Sequence, residues 1–124
     1  MNLDIRYGLP FVTADIEYGS RKLQLDNVLL DTGSAGTLFQ VDRLIAIALR
    51  MEPQDLIRRI RGVGGTEFVF SKRVDALAVG DLRVDHFEIE VGAMDYGFNL
   101  DGIIGLDFLR AVRAKINLGD LTIA

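Results

Sequence analysis

The sequence contains no cysteine, which excludes disulfide bridges, thiolate metal sites and thiol catalysis. It contains one histidine, His86, too few for a histidine-rich metal centre. Its Asp and Glu residues show no metal-ligand spacing, so no metal and no organic cofactor is expected. Basic residues are in the minority, with 14 Lys and Arg against 18 Asp and Glu and a net charge of −4. Such a chain lacks the basic footprint of a nucleic-acid binder. No apolar run approaches the ~18 residues of a membrane span, and Met1 to Arg6 lack the basic start and apolar stretch of a signal peptide. With cysteine absent, the cytoplasm is the expected compartment. Only Pro10 and Pro53 interrupt the chain. No low-complexity linker or charge block divides its 124 residues, so a single domain over residues 1–124 is expected. The chain is 49% hydrophobic and 26% charged, a globular composition that excludes disorder.

Thirteen glycines supply most of the punctuation. Leu3, Ile5 and Tyr7 alternate with polar residues as in a strand, which Gly8-Leu9-Pro10 is expected to break. Phe11 to Tyr18 and Lys22 to Leu30 read as strands around a Gly19-Ser20 hairpin turn. The second of these alternates at Leu23 and Leu25 and becomes continuously apolar at Val28-Leu29-Leu30, so it is expected to end buried on both faces. Val41, Leu44, Ile45 and Ala48 share one helical face, which predicts a helix over Val41 to Arg50 with Asp42 as its N-cap. Leu56 to Arg61 and Thr66 to Val79 flank Gly62-Val63-Gly64-Gly65 as a long glycine-tipped hairpin. Phe87 to Val91 alternates with Glu88 and Glu90, a strand with one wet face. Ile103-Ile104 forms a short buried strand ending at Gly105, and Leu106 to Val112 a short helix. Lys115 to Leu118 and Leu121 to Ile123 form a last hairpin. The chain is mostly β, with one or two short helices.

The sharpest chemical feature is Val28-Leu29-Leu30-Asp31-Thr32-Gly33-Ser34-Ala35, where an acid directly follows a buried apolar run. A carboxylate there must be paired or hydrogen-bonded to offset its desolvation. A turn-capping role for Asp31, accepting the Gly33 and Ser34 N–H groups, satisfies that need without any chemistry.

Three elements in order, Asp31-Thr32-Gly33-Ser34, the Gly62 to Gly65 hairpin tip and Ile103-Ile104-Gly105 before a helix, resemble the retropepsin-like aspartic proteases, in their cellular and bacterial form. The resemblance covers about Phe11 to Ile123. It implies a closed β-barrel of the acid protease fold with a hairpin flap. It implies that Asp31 supplies one of two water-activating carboxylates, with Thr32 and Gly33 completing the catalytic loop and the Gly33 carbonyl accepting from substrate. Ser34 would hydrogen-bond the carboxylate. Ser34, Ala35, the flap residues Gly62, Val63, Gly64 and Gly65, and Tyr96, Phe98 and Ile104 would line the substrate. Asp101 and Asp107 are read as turn and helix-start residues rather than as a second catalytic acid. One Asp-Thr-Gly in so short a chain implies a homodimer, with Asp31 from each protomer meeting across a two-fold axis. The expected activity is hydrolysis of an extended peptide or protein. The alternative is a catalytically inactive member of the fold that binds peptides or dimerises. Pairing of the Leu3 to Tyr7 strand with the C-terminal hairpin stays open at this point.

Overall fold

The computed structural model describes residues 1–62, 65–94 and 99–124, with side chains described except over 61–67. Two tight turns with left-handed backbone organise its first half. Tyr7 and Gly8 take φ of 54° and 73°, and Gly19 and Ser20 take 56° and 68°. Two consecutive positive φ angles match the twist of a two-residue hairpin. The first turn joins β1 (Asp4–Arg6) to β2 (Leu9–Tyr18), and the second joins β2 to β3 (Arg21–Leu30). Gly8-Leu9-Pro10 is therefore not a break. The turn lies one residue earlier, and Pro10 pairs with Ile5 near the start of β2, where a missing N–H is tolerated.

The remaining elements are β4 (Leu38–Gln40), α1 (Val41–Leu44), β5 (Ile57–Gly62), β6 (Gly65–Val79), β7 (Leu82–Gly92), β8 (Gly102–Ile104), α2 (Leu106–Ala111), β9 (Ile116–Asn117) and β10 (Thr122–Ile123). The large sheet runs β1-β2-β3-β8-β4-β7-β6-β5, and β2 also pairs with β6. Strands β2, β3, β8, β4, β7 and β6 thus close into a ring. A register shift between Val12 and Ala14 bends β2, which lets it pair β3 along its length and β6 at its far end. The β3–β8 and β4–β7 pairs are parallel.

Strand alternation sends one set of side chains into the ring. Val28, Leu30, Phe39, Val74, Ile89, Val91 and Ile104 form the main core with Phe108 of α2. The Phe108 ring meets Phe87 edge-on at 5.9 Å. Phe11, Leu100 and Ile103 bury against Leu29 on the opposite face. Leu29 and Leu30 therefore pack on different sides, and β3 does end covered on both.

The helix expected over Val41 to Arg50 is only one turn of α1, followed by a 3-10 turn over Ile45–Ile47. Ala48 then takes a left-handed φ of 59° and donates its N–H to the Ile45 carbonyl. The β-branched Val41, Ile45 and Ile47 favour helix weakly. Stopping at Ala48 also turns Leu49 fully into the core, a burial worth about 2 kcal/mol. The residue before α1 is Gln40, and Asp42 lies inside the first turn rather than at the N-cap. The termini pair within one chain: Asn2 bridges Thr122, Leu3 N–H donates to the Leu121 carbonyl at 2.8 Å and Ile123 N–H to the Met1 carbonyl at 2.9 Å. Among the described residues no helix is long and apolar enough to cross a membrane.

Candidate active site

β3 delivers Asp31 at the point where the chain leaves the ring. The Asp31 N–H still donates to the Ile104 carbonyl of β8 at 2.9 Å, so the loop starts from a fixed backbone position. The Asp31 carboxylate accepts the Gly33 N–H at 2.9 Å, and its main-chain carbonyl accepts the Ser34 N–H at 3.2 Å. The turn-capping role read from the sequence is thus real. Asp31 is half-buried, whereas Thr32, Gly33 and Ala35 are exposed. A Cβ on Gly33 would lie 3.2 Å from Asp31 Oδ1, so the glycine leaves that side of the carboxylate uncrowded.

A brace behind the loop fixes its shape. Leu106 N–H donates to the Ser34 carbonyl at 2.7 Å. A Cβ on Gly105 would lie 2.1 Å from the Gly36 carbonyl oxygen and 2.9 Å from that of Ser34, so only glycine allows this approach. Thr37 is fully buried. Its hydroxyl donates to Asp107 Oδ1 at 2.7 Å and accepts the Gly105 N–H at 3.0 Å. The Thr37 N–H donates to Asp107 Oδ2 at 3.3 Å. One carboxylate at the start of α2 thereby holds both the end of the loop and, through Phe108 N–H at 2.8 Å, its own helix.

The chain thus presents a strand-end acid on a braced loop, with β7 lying between β4, which follows that loop, and the β5–β6 hairpin. A family model for aspartyl protease matches residues 12–108. The chain belongs to the aspartyl protease family. Comparison with curated proteins finds no match. The aspartyl protease match begins in β2, contains the Asp31 loop and the β5–β6 hairpin, and ends in α2 at Phe108.

The structure sorts the site residues expected from the sequence. Asp31, Thr32, Gly33, Ser34 and Ala35 share one loop. Gly62 and Gly65 pair at the end of the hairpin, whereas Val63, Gly64, Tyr96 and Phe98 lie outside the described residues. Two expectations need correction. The Ser34 hydroxyl donates to the Gly36 carbonyl at 2.8 Å instead of the Asp31 carboxylate, because the loop turns it inward to close on Gly36. Ile104 is fully buried, since alternation along β8 points it into the ring. Its side chain lines the core, and its contribution to the site is the carbonyl that anchors Asp31. Asp107 does sit at the helix start, whereas Asp101, just ahead of β8, bonds across to β3 rather than within a turn. Asp101 accepts the Asn27 N–H at 3.1 Å, with Arg43 Nε 2.9 Å away.

Two charge clusters at the root of the β5–β6 hairpin were not read from the sequence. Lys72 is buried and donates to Glu52 at 2.6 Å and Asp55 at 2.7 Å. These bonds hold both carboxyls below the ordinary carboxylate range. Burial alone would lower Lys72, but the bonds to Asp55 and Glu52 outweigh it and raise the lysine. On the other face of the hairpin, Glu90 pairs with Arg58 and lies 3.4 Å from the Ser71 hydroxyl. Burial raises Glu90 above its ordinary value, against the opposing pull of Arg58 and Ser71. Lysine at an inward-facing strand position is the sequence signal for the first cluster. The second shows only as an acid opposite a basic hairpin strand. Among the described residues no group of three or more His, Asp or Glu side chains is placed to hold a metal ion.

Proposed function

We propose that the chain is a homodimeric aspartic endopeptidase in which Asp31 of two protomers activates one water molecule. The observation that carries this reading is a half-site. A braced loop presents one half-buried carboxylate flanked by exposed Thr32 and Gly33. Aspartic proteases need two carboxylates sharing one proton, one acting as base toward water while the other polarises the scissile carbonyl. At about 3 Å and an effective dielectric near 20, two ionised carboxylates repel by roughly 5–6 kcal/mol, so the pair retains a proton. This chain supplies one such loop, and a second copy supplies the other. Exposed Thr32 and Gly33 are the surface on which the two loops meet. An extended peptide would lie between the joined loops and the two hairpins, bonded through its backbone.

The test is Asp31→Asn. Cleavage of a peptide library should fall by at least 10²–10⁴-fold while melting temperature and sedimentation stay as in wild type. Specific activity of wild type should also fall on dilution and recover when a peptide mimic of the transition state holds the dimer together. Undiminished cleavage by Asp31→Asn removes Asp31 from the reaction. A wild-type chain that binds the mimic and cleaves nothing is instead a non-catalytic peptide-binding module.

A further inference from the structure

Between the Asp31 loop and the β5–β6 hairpin stands a carboxylate that takes no part in holding the loop through its side chain. Glu90 lies on β7 opposite Leu38 of β4 and Ser71 of β6. Its N–H donates to the Thr37 carbonyl at 2.9 Å. Its Cγ is 3.8 Å from the point where a side chain on Gly36 would begin. Gly36 is five residues beyond Asp31 and has no side chain to screen this wall.

The two partners of the Glu90–Arg58 pair are unequal. The Glu90 side chain is 16% exposed and the Arg58 side chain 55%. The carboxylate sits on a strand hydrogen-bonded on both sides, whereas the guanidinium ends a long flexible stem in solvent. Among the described residues, Glu88 and Asp107 add further negative charge around Glu90. The fixed charge at this wall is therefore negative, and its counter-ion is exchangeable.

We propose that Glu90 is a specificity-determining residue that selects a lysine or arginine side chain on a peptide lying between the Asp31 loop and the hairpin, the incoming cation replacing Arg58 on the carboxylate. An anionic side chain cannot make this exchange, because the member of the pair that it would have to displace is the fixed one, and it would meet a like charge. The inference rests on the proteolytic reading only in requiring that a peptide lie between the Asp31 loop and the hairpin.

The test uses matched peptides, and matched non-cleavable transition-state mimics, with Lys, Ala or Glu at each position flanking the scissile bond in turn. At one position wild type should favour Lys over Ala by roughly tenfold in kcat/KM, the scale of one charge-assisted hydrogen bond, and Glu should be worst. In Glu90→Gln that Lys-to-Ala ratio should fall to near one, a change that a loss of folded protein cannot produce because the ratio cancels it. Arg58→Ala alters only a half-exposed side chain and should raise the ratio, since the competing guanidinium is gone. Absence of charge preference in wild type, or a ratio unmoved by both variants, overturns the role of Glu90 while leaving proteolysis intact. Lys-selective binding of the mimics without cleavage keeps Glu90 and sinks the proteolytic reading. A chain that binds no mimic overturns both.

Discussion

Gly105 and Gly36 touch through their backbones, yet they differ sharply in what a methyl group at each would meet. In Gly105→Ala the new Cβ would lie 2.1 Å from the Gly36 carbonyl oxygen and 2.6 Å from its carbon. Ordinary contact begins near 3.4 Å, so the loop and β8 must part by more than an ångström. The atoms struck are backbone, which cannot swing away. Overpacking costs about 1–3 kcal/mol. Parting the loop also strains the Leu106–Ser34 and Gly105–Thr37 hydrogen bonds, at about 0.5–1.5 kcal/mol each. The expected loss is about 2–6 kcal/mol, or roughly 8–23 °C in melting temperature for a chain of this size. In Gly36→Ala the nearest atom is Glu90 Cγ at 3.8 Å, and the expected change is within about 0.5 kcal/mol. Thermal melts monitored by circular dichroism, with urea titrations for the two variants and wild type, decide the matter. A Gly105→Ala melt within about 2 °C of wild type, or a Gly36→Ala melt depressed as far, would refute the claim that backbone contact at Gly105 sets the loop.

Thr37→Val should lose about 2–4 kcal/mol in urea denaturation, because it removes the partner of a half-buried carboxylate and an acceptor for the Gly105 N–H; Thr37→Ser should recover most of it. Lys72→Met should destabilise by about 1–3 kcal/mol near neutrality. The acid side of that gap has a definite sign. Glu52 and Asp55 are lowered in the folded chain, so their contribution is full above the ordinary carboxylate range and vanishes as pH falls through the lowered values. Lys72 is raised, so its contribution is full below the ordinary lysine value and is lost only as pH rises through the raised one. Urea titrations should therefore show wild type and Lys72→Met separated near neutrality and converging as pH falls below the ordinary carboxylate range; a gap that widens in acid would contradict the ion cluster.

Strand content and the Asp31 loop were legible because both leave local traces. Gly19-Ser20 marked a hairpin, the change from alternation to a continuous apolar run marked the end of β3, and Asp31 stood out against Leu29 and Leu30 on either side of the sheet. Tyr7 was not legible as a turn residue, since nothing about tyrosine favours positive φ. The helix after Val41 was over-read because an apolar periodicity of one turn is the same whether the chain continues helically or kinks to bury Leu49. Most opaque was everything that depends on which strands meet. The Thr37–Asp107 bond, the Lys72 cluster and the Glu90 wall join residues remote in sequence, and no local pattern encodes the pairing of β4 with β7 or of β3 with β8. Ile104 was placed at the substrate for the same reason, as its neighbour Ile103 buries on the opposite face of the sheet and only the observed register tells the two apart.

The pairing of β3 with β8 also sets the order in which the Asp31 loop takes its shape. Asp31 becomes fixed only when Ile104 arrives, and Thr37 only when Asp107 does, 70 residues later. Contacts this remote are the slowest to form in a folding chain, since a long loop must close before any bond rewards it. During synthesis the acid leaves the ribosome several seconds ahead of its anchor, at about 5–20 residues per second. In that interval the Asp31 N–H lacks the Ile104 carbonyl that anchors it in the folded chain. The brace therefore acts as a timing device: a nascent or truncated chain lacking Gly105 to Asp107 carries the Asp-Thr-Gly sequence without the shape that gives it meaning.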